Sequence, residues 1–433
     1  MAAAADARSS AWYCTGATAA KDGVADGTVA VANAGRKALR GTVTVYPSQG
    51  ESRQVSIDVV PASRKVVRLA DVAPASFASA LVELDGGEAV VELAGNGSLG
   101  EGVTPCATAA SPTWYLADGV TTRDATEVLT LFNPFADDAV VDLAFGTEEG
   151  PVTPQALTGL SVRGGGMSTV NVGEFVQRRE QVTAAITART GRLVVGRIQS
   201  FDGSAGRKGM SMALGAASPG ELWYLPDGLV TDGLSEKYHV FNPGNKEAQV
   251  EVELALEQGE AEPIEVSVPA ESRMTVMAND EPRVPKGVPH SATIRSLNDV
   301  GVVVERTVDA TAASKRTGAA ATPAAQVTAR RWALAWGASD DTFDEILVFQ
   351  NPGLTGARVS VTVLADGERL ANGAVQGLEV AAGQRRAVRL GDSIKRNATP
   401  VLIEADQPIV VERTLNRLQG TGTSMSVGIP LRG

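Results

Sequence analysis

Glu127-Val128-Leu129-Thr130-Leu131-Phe132-Asn133-Pro134 reads as a short β-strand with a built-in stop. Branched and aromatic side chains suit a pleated surface. Proline has no N–H to give a ladder, so Asn-Pro opens a turn. The same stop recurs at Asn242-Pro243 and Asn351-Pro352, at a constant spacing of 109 residues. Near the N-terminus Asn33-Ala34 fills its place. Self-similarity at a fixed period marks a chain built of repeated modules.

Working outward, three further markers keep the same order. The first is aromatic: Trp12-Tyr13, Trp114-Tyr115 and Trp223-Tyr224, with Trp332 in phase but lacking the tyrosine. The second is Pro61-Ala62-Ser63-Arg64, Pro269-Ala270-Glu271-Ser272-Arg273 and Ala382-Gly383-Gln384-Arg385. The third is Val194-Val195-Gly196-Arg197, Val303-Val304-Glu305-Arg306 and Val410-Val411-Glu412-Arg413, with Val90-Val91-Glu92-Leu93 in the first unit. Around Asn133 the sequence predicts further strands at 139–145, 160–163, 168–172, 182–188, 193–199 and 210–214. With the Trp-Tyr strand these make about eight short strands at regular spacing, and 175–180 makes at most one helical turn. The expected fold is therefore all-β: four tandem immunoglobulin-like or fibronectin-like β-sandwich domains at 12–110, 112–218, 221–316 and 330–433. The linkers at 108–113, 216–221 and 317–329 are rich in small residues and proline, and permit a rod, an arc or a ring.

Composition narrows the class. The 433 residues are 43% hydrophobic and 21% charged, which suits a folded chain. The net charge of −11 argues against nucleic acid as a partner, because phosphate affinity needs clustered Lys and Arg. No apolar run is long enough to predict a transmembrane helix. Residues 1–11 have neither a basic region nor an apolar core, so they do not read as a signal peptide. Met1 is read as an expression start behind a removed export signal or anchor, with a natural cytosolic start as the other reading. Lysine makes up only 9 of the 39 basic residues, and Ala, Gly and Val abound, as in GC-rich bacterial genomes.

Cys14 and Cys106 fit neither a zinc nor a CxxC pattern. They are expected to form one disulfide, which implies an oxidising compartment, the other reading being two unrelated buried thiols. Chemistry is otherwise sparse. His239 and His290 are the only histidines and are expected at the surface. Gly95-Asn96-Gly97-Ser98-Leu99-Gly100 matches GxGxxG, but Glu101-Gly102-Val103-Thr104-Pro105 cannot open the helix a dinucleotide site requires. No cofactor, metal site or catalytic residue is predicted. Asp118-Gly119 and Asp227-Gly228 read as turns in preference to calcium ligands, since Trp336 and about Gly16 occupy the matching positions. Alternation puts Val302, Val304 and Arg306 on one strand face and Val303 and Glu305 on the other. Arg197, Arg306 and Arg413 would then end the core face and need partners, and a stacked tryptophan is one option. Trp12, Trp114, Tyr115, Trp223, Tyr224 and Trp332 are expected to pack at domain junctions, with sugar stacking as the alternative.

The ordered set Trp-Tyr-Leu-Ala-Asp-Gly at 114–119, Leu131-Phe132-Asn133-Pro134, Ser272-Arg273, Val304-Glu305-Arg306 and a closing Gly209-Met210-Ser211 or Gly422-Thr423-Ser424 resembles the tandem repeats of secreted actinobacterial proteins. At the scale of the chain, from Trp12 to the C-terminus, it is similar to the actinobacterial family called domain of unknown function 5719. That resemblance implies an exported or membrane-anchored envelope protein without an established activity, linked to envelope glycosyltransferases. The first unit departs from the pattern, lacking Asn-Pro and the arginine while carrying both cysteines. The function expected is a non-catalytic extracytoplasmic scaffold or partner-binding protein of the cell envelope, accessory to glycan assembly. Its partner would be an envelope protein such as a membrane glycosyltransferase, with membrane contact only through the missing anchor. The alternative is a cell-wall glycan-binding module using aromatic grooves between domains. A hydrolase is disfavoured by the scarcity of histidine and of repeated carboxylate pairs.

Overall fold

The computed structural model describes residues 1–371 and 375–432. It is nearly all β, with short helical turns at Leu69–Val72, Val172–Glu174, Ala278–Asp280 and Leu390–Asp392. The strands fall into paired sheets, and each pair encloses its own apolar core.

The second unit shows the plan. One sheet runs in the order Gly166–Asn171, Ala125–Asn133, Val194–Asp202, Lys208–Leu214. The facing sheet holds Ala139–Thr147 and Val182–Thr190 at its centre and Thr113–Leu116 at one edge. The third unit repeats both orders, with Leu234–Asn242, Val303–Ala310 and Gly318–Pro323 in the first sheet. In the first unit the corresponding strands are Asp26–Asn33, Ala89–Gly97 and Gly100–Pro105. In the fourth they are Phe343–Gln350, the second half of Val401–Arg417, and Thr423–Val427. We call these the asparagine, valine and closing strands. The strand Val401–Arg417 runs through both sheets of its unit without a break. Gly95 to Gly100 spans the hairpin between the first unit's valine and closing strands.

Each asparagine strand ends in the same clamp. Asn33, Asn133, Asn242 and Asn351 are buried. Each Nδ2 donates to the carbonyl four residues on and to a carbonyl across the sandwich, at 2.7–3.0 Å. Each Oδ1 accepts from the N–H two residues on. The asparagine thus ties the turn to the facing sheet, and the proline after it is dispensable, as Ala34 shows.

Burial separates the two sheets. Ala139–Thr147 alternates between buried and half-exposed residues, as a sheet with one wet face does. Val194–Asp202 is buried on both faces, one against its own core and the other against a neighbouring unit. This double burial explains the unbroken valine runs. The four closing strands pack in a cycle: first on second, second on third, third on fourth, and fourth back on first. Small residues let them approach. A Cβ on Gly102 would lie 2.9 Å from the Met212 nitrogen, and one on Gly318 would lie 2.7 Å from that of Thr423. Val103 N–H donates to Ser424 Oγ at 3.0 Å, joining the two ends of the cycle.

Candidate functional site: charged junctions between units

The β-ladder registers make position-by-position comparison of the units possible. Where one unit meets the next, the earlier unit offers the Asp of Asp-Gly, a Glu on its asparagine strand and the Arg of its valine strand. The later unit offers the Glu of its valine strand and the Arg beside the asparagine turn.

At the second–third junction Arg197 Nη2 donates to Glu305 Oε2 at 2.9 Å, and its Nη1 donates to the Asp118 carbonyl. Arg273 Nη1 reaches Asp118 Oδ1 at 3.1 Å. At the third–fourth junction Arg306 pairs with Glu412 and with Glu236, while Arg385 Nη2 meets Asp227 Oδ1 at 2.9 Å. At the fourth–first junction Arg413 forks onto Glu92 at 3.0 and 3.2 Å. There Trp336 replaces the aspartate, and the Arg64 guanidinium stacks over its ring at 5.0 Å. Arg197, Arg306 and Arg413 are fully buried. Each pairs with a carboxylate of the adjacent unit rather than with a domain-opening tryptophan.

The first–second junction carries none of these charges. Gly16, Gly27 and Leu93 stand in the Asp, Glu and Arg positions of the first unit, and Gly196 and Met167 in the Glu and Arg positions of the second. Tyr46 packs on Phe132 at 5.2 Å and Tyr13 on Phe135 at 6.2 Å instead. The replacement is concerted, because a lone ion left in such a seam would be buried unpaired. The disulfide Cys14–Cys106, with S–S 2.00 Å, closes the first unit just before the chain leaves it.

Burial decides the protonation pattern. At Asp118 burial opposes the charge, but His239, Arg197 and Arg273 together hold the carboxyl well below the usual range. Glu127 has no hydrogen-bond partner, and burial pushes its pKa up to about 8. Glu345 is likewise pushed to about 8 by burial, with Thr399 as its hydrogen-bond donor. The Asp-Gly motif finds its reason here. A Cβ on Gly119 would meet Glu127 Oε2 at 2.5 Å, and one on Gly228 would meet His290 and Glu236. The aspartate serves the junction, and the glycine leaves room for the glutamate. In the first unit Gly27 replaces the glutamate and Ala17 the glycine, so the volume is exchanged.

Both histidines depart from the surface expectation. His239 is 2% exposed and His290 is fully buried. His239 does point away from its own core, but the second unit covers that face. It bonds the Thr275 and Thr307 hydroxyls, and burial pushes its pKa down to about 3 against the pull of Asp118. His290 sits between Tyr238, at 2.9 Å, and Glu236, at 3.2 Å. The turn reading of the aspartates misses their junction role too, because no local pattern shows which face a neighbour covers.

Trp12, Trp114, Trp223 and Trp332 lie in the cores of their own units. The last three donate Nε1 to valine-strand or preceding carbonyls at 2.8–3.1 Å. The tyrosines after them reach the junctions: Tyr115 packs on Phe241 at 6.4 Å, and Tyr224 against the fourth unit's core. Asp340-Asp341-Thr342-Phe343-Asp344-Glu345 is acidic in sequence, but Asp340 caps a turn, Asp344 bonds Arg389 and Glu345 is buried. Among the described residues no group of three or more His, Cys, Asp or Glu could hold a metal ion. A cleft of about 390 Å³ opens beside Asp118, His239 and Arg273 at the second–third junction.

The chain belongs to a family of unknown function, DUF5719, whose model matches residues 94–342. No curated protein matches it. Among solved structures, it is similar to the Thermotoga maritima protein 1070, with 19% identity over 25% of this chain and 95% of that one (TM-score 0.23). It is similar also to the Anabaena sensory rhodopsin transducer, with 23% identity over 21% and 85% (TM-score 0.19). A tetra-tandem repeat from the extending region of a large adhesion protein aligns at 12% identity over 95% and 93% (TM-score 0.11). No helix among the described residues is long and apolar enough to cross a membrane.

Proposed function

We propose that the protein is a non-catalytic scaffold of the actinobacterial cell envelope. In this reading it is four immunoglobulin-like β-sandwich domains locked into a ring, exported and tethered at its N-terminus. It presents its outer loops to an envelope partner such as a membrane glycosyltransferase. The observation that carries this reading is the use of the buried ionisable groups. Arg197, Arg306 and Arg413 meet Glu305, Glu412 and Glu92 across unit boundaries, where they fix one unit on the next. Such a molecule holds its loops at fixed mutual positions, which is what a scaffold needs. The disulfide suits an oxidising compartment.

Glycan binding through aromatic grooves has less support, because Trp114, Trp223 and Trp332 are at most 2% exposed. Crosslinking in the native bacterium, followed by mass spectrometry, tests the proposal. Recovery of one envelope membrane protein is the expected result. Recovery of wall polysaccharide without any protein partner would overturn it.

A further inference from the structure

The second–third junction differs from the third–fourth junction in what faces its turn arginine. At the third–fourth junction Arg385 is served on every nitrogen: Nε donates to the Pro226 carbonyl, Nη2 to Asp227, and Nη1 to Glu257 at 2.7 Å. Arg273 is the equivalent residue. Its side chain is 5% exposed, and all of its hydrogen bonds leave from Nη1, with Asp118 as the sole carboxylate. Its Nε has no partner. Glu148 stands where Glu257 does, but it accepts from the Glu180 and Gln181 amides and does not reach Arg273.

The space beside Arg273 is also open for a local reason. Ladder register places Ala319 and Ala320 on the third closing strand opposite Asp309 and Val308. The same positions hold Met210-Ser211, Thr423-Ser424 and Glu101-Gly102 in the other units. At the fourth–first junction the position of Ala319 is therefore filled by a chain carboxylate, Glu101, which accepts from Trp336 Nε1 at 2.6 Å. Alanine at 319 leaves the cleft of about 390 Å³, lined by Arg273, Lys237, Met274, Phe201 and the two alanines. That volume is at the small end of ligand sites.

We propose that this cleft binds a small carboxylate ligand, whose carboxyl group gives Arg273 the second carboxylate that Glu257 gives Arg385. Arg273 Nη2 has no acceptor among the described residues, and a guanidinium N–H donates to a carboxylate in a charge-assisted hydrogen bond. Lys237, paired with Asp309 at 3.1 Å, lies on the cleft wall, which also carries Arg207 and the carboxylates of Asp118 and Glu180. The site is independent of the scaffold reading, since it requires no protein partner.

Calorimetric titration of the full chain with glucuronate, N-acetylalanine, glucose and inorganic phosphate tests the proposal. Saturable binding of glucuronate or N-acetylalanine is expected, and which of the two binds separates a sugar acid from a peptide terminus as the source. Ala319→Glu, which supplies the carboxylate from the chain, and Met274→Glu, at an exposed residue of the cleft mouth, should each weaken binding by about tenfold or more. No binding of either carboxylate, equal binding of glucose or phosphate, or binding unchanged in a folded Met274→Glu protein would overturn it.

Discussion

Arg306 shows how much one side chain carries at a junction. It is fully buried between Glu236 of its own unit and Glu412 of the next. Removing it leaves Glu412 buried without a cation and Glu236 with His290 alone, so Arg306→Leu is expected to cost about 3–5 kcal/mol in denaturant unfolding. Adding Glu412→Gln should recover part of that loss, with a coupling energy of about 1–3 kcal/mol from the double-mutant cycle. The natural apolar seam, with Leu93 and Gly196 in the Arg and Glu positions, shows that a junction forms without the whole set. Glu127 gives a pH test. Its pKa of about 8 lies above the unfolded value, so the folded state holds the extra proton. Its stabilising contribution is complete below the unfolded pKa and is lost as pH rises through the folded one. Glu127→Gln should flatten the decline in unfolding free energy between about pH 5 and about pH 9. An unchanged slope would contradict the assignment. None of these pairings was legible from the sequence alone. Alternation gives the face of Arg306 and Glu305, but not that a neighbouring unit meets both.

At the scale of strands, the asparagine clamp is the element the fold depends on. Asn242 donates to Lys246, Val268 and Pro269 carbonyls and accepts from Gly244. Asn242→Asp replaces the donor with a second acceptor facing those carbonyls. It is expected to cost more than Asn242→Ala, and the alanine variant itself about 1–3 kcal/mol. Equal stability of all three proteins, by thermal or denaturant unfolding, would contradict the clamp. Much of this level was legible in the sequence: the strand, its stop and its period are local patterns. The local pattern assigns the stop to proline, whereas Asn33 followed by Ala34 makes the same bonds without one. The valine strands explain why one further feature stayed hidden. A strand buried on both faces loses its alternation, so its outer face does not reveal whether solvent or protein covers it.

For the whole molecule, the repeat spacing implies four similar units but not how they meet. Linker lengths allow several arrangements, and closure depends on contacts between residues more than 300 positions apart, such as Arg413 with Glu92. The small residues of the closing strands become meaningful only when four strands share one centre. Gly209 is one such residue, since a Cβ there would strike the backbone of Ala319. Gly209→Ala should therefore destabilise by roughly 1–3 kcal/mol, against little change for Gly356→Ala at an open site. The central claim is closure, and small-angle X-ray scattering of the intact chain tests it most directly. A compact chain of 433 residues has a radius of gyration of about 22 Å, and four domains in a row would give roughly 40 Å. The closed cycle predicts a value close to the first. A value near the second, with the pair-distance distribution of a rod, would contradict it.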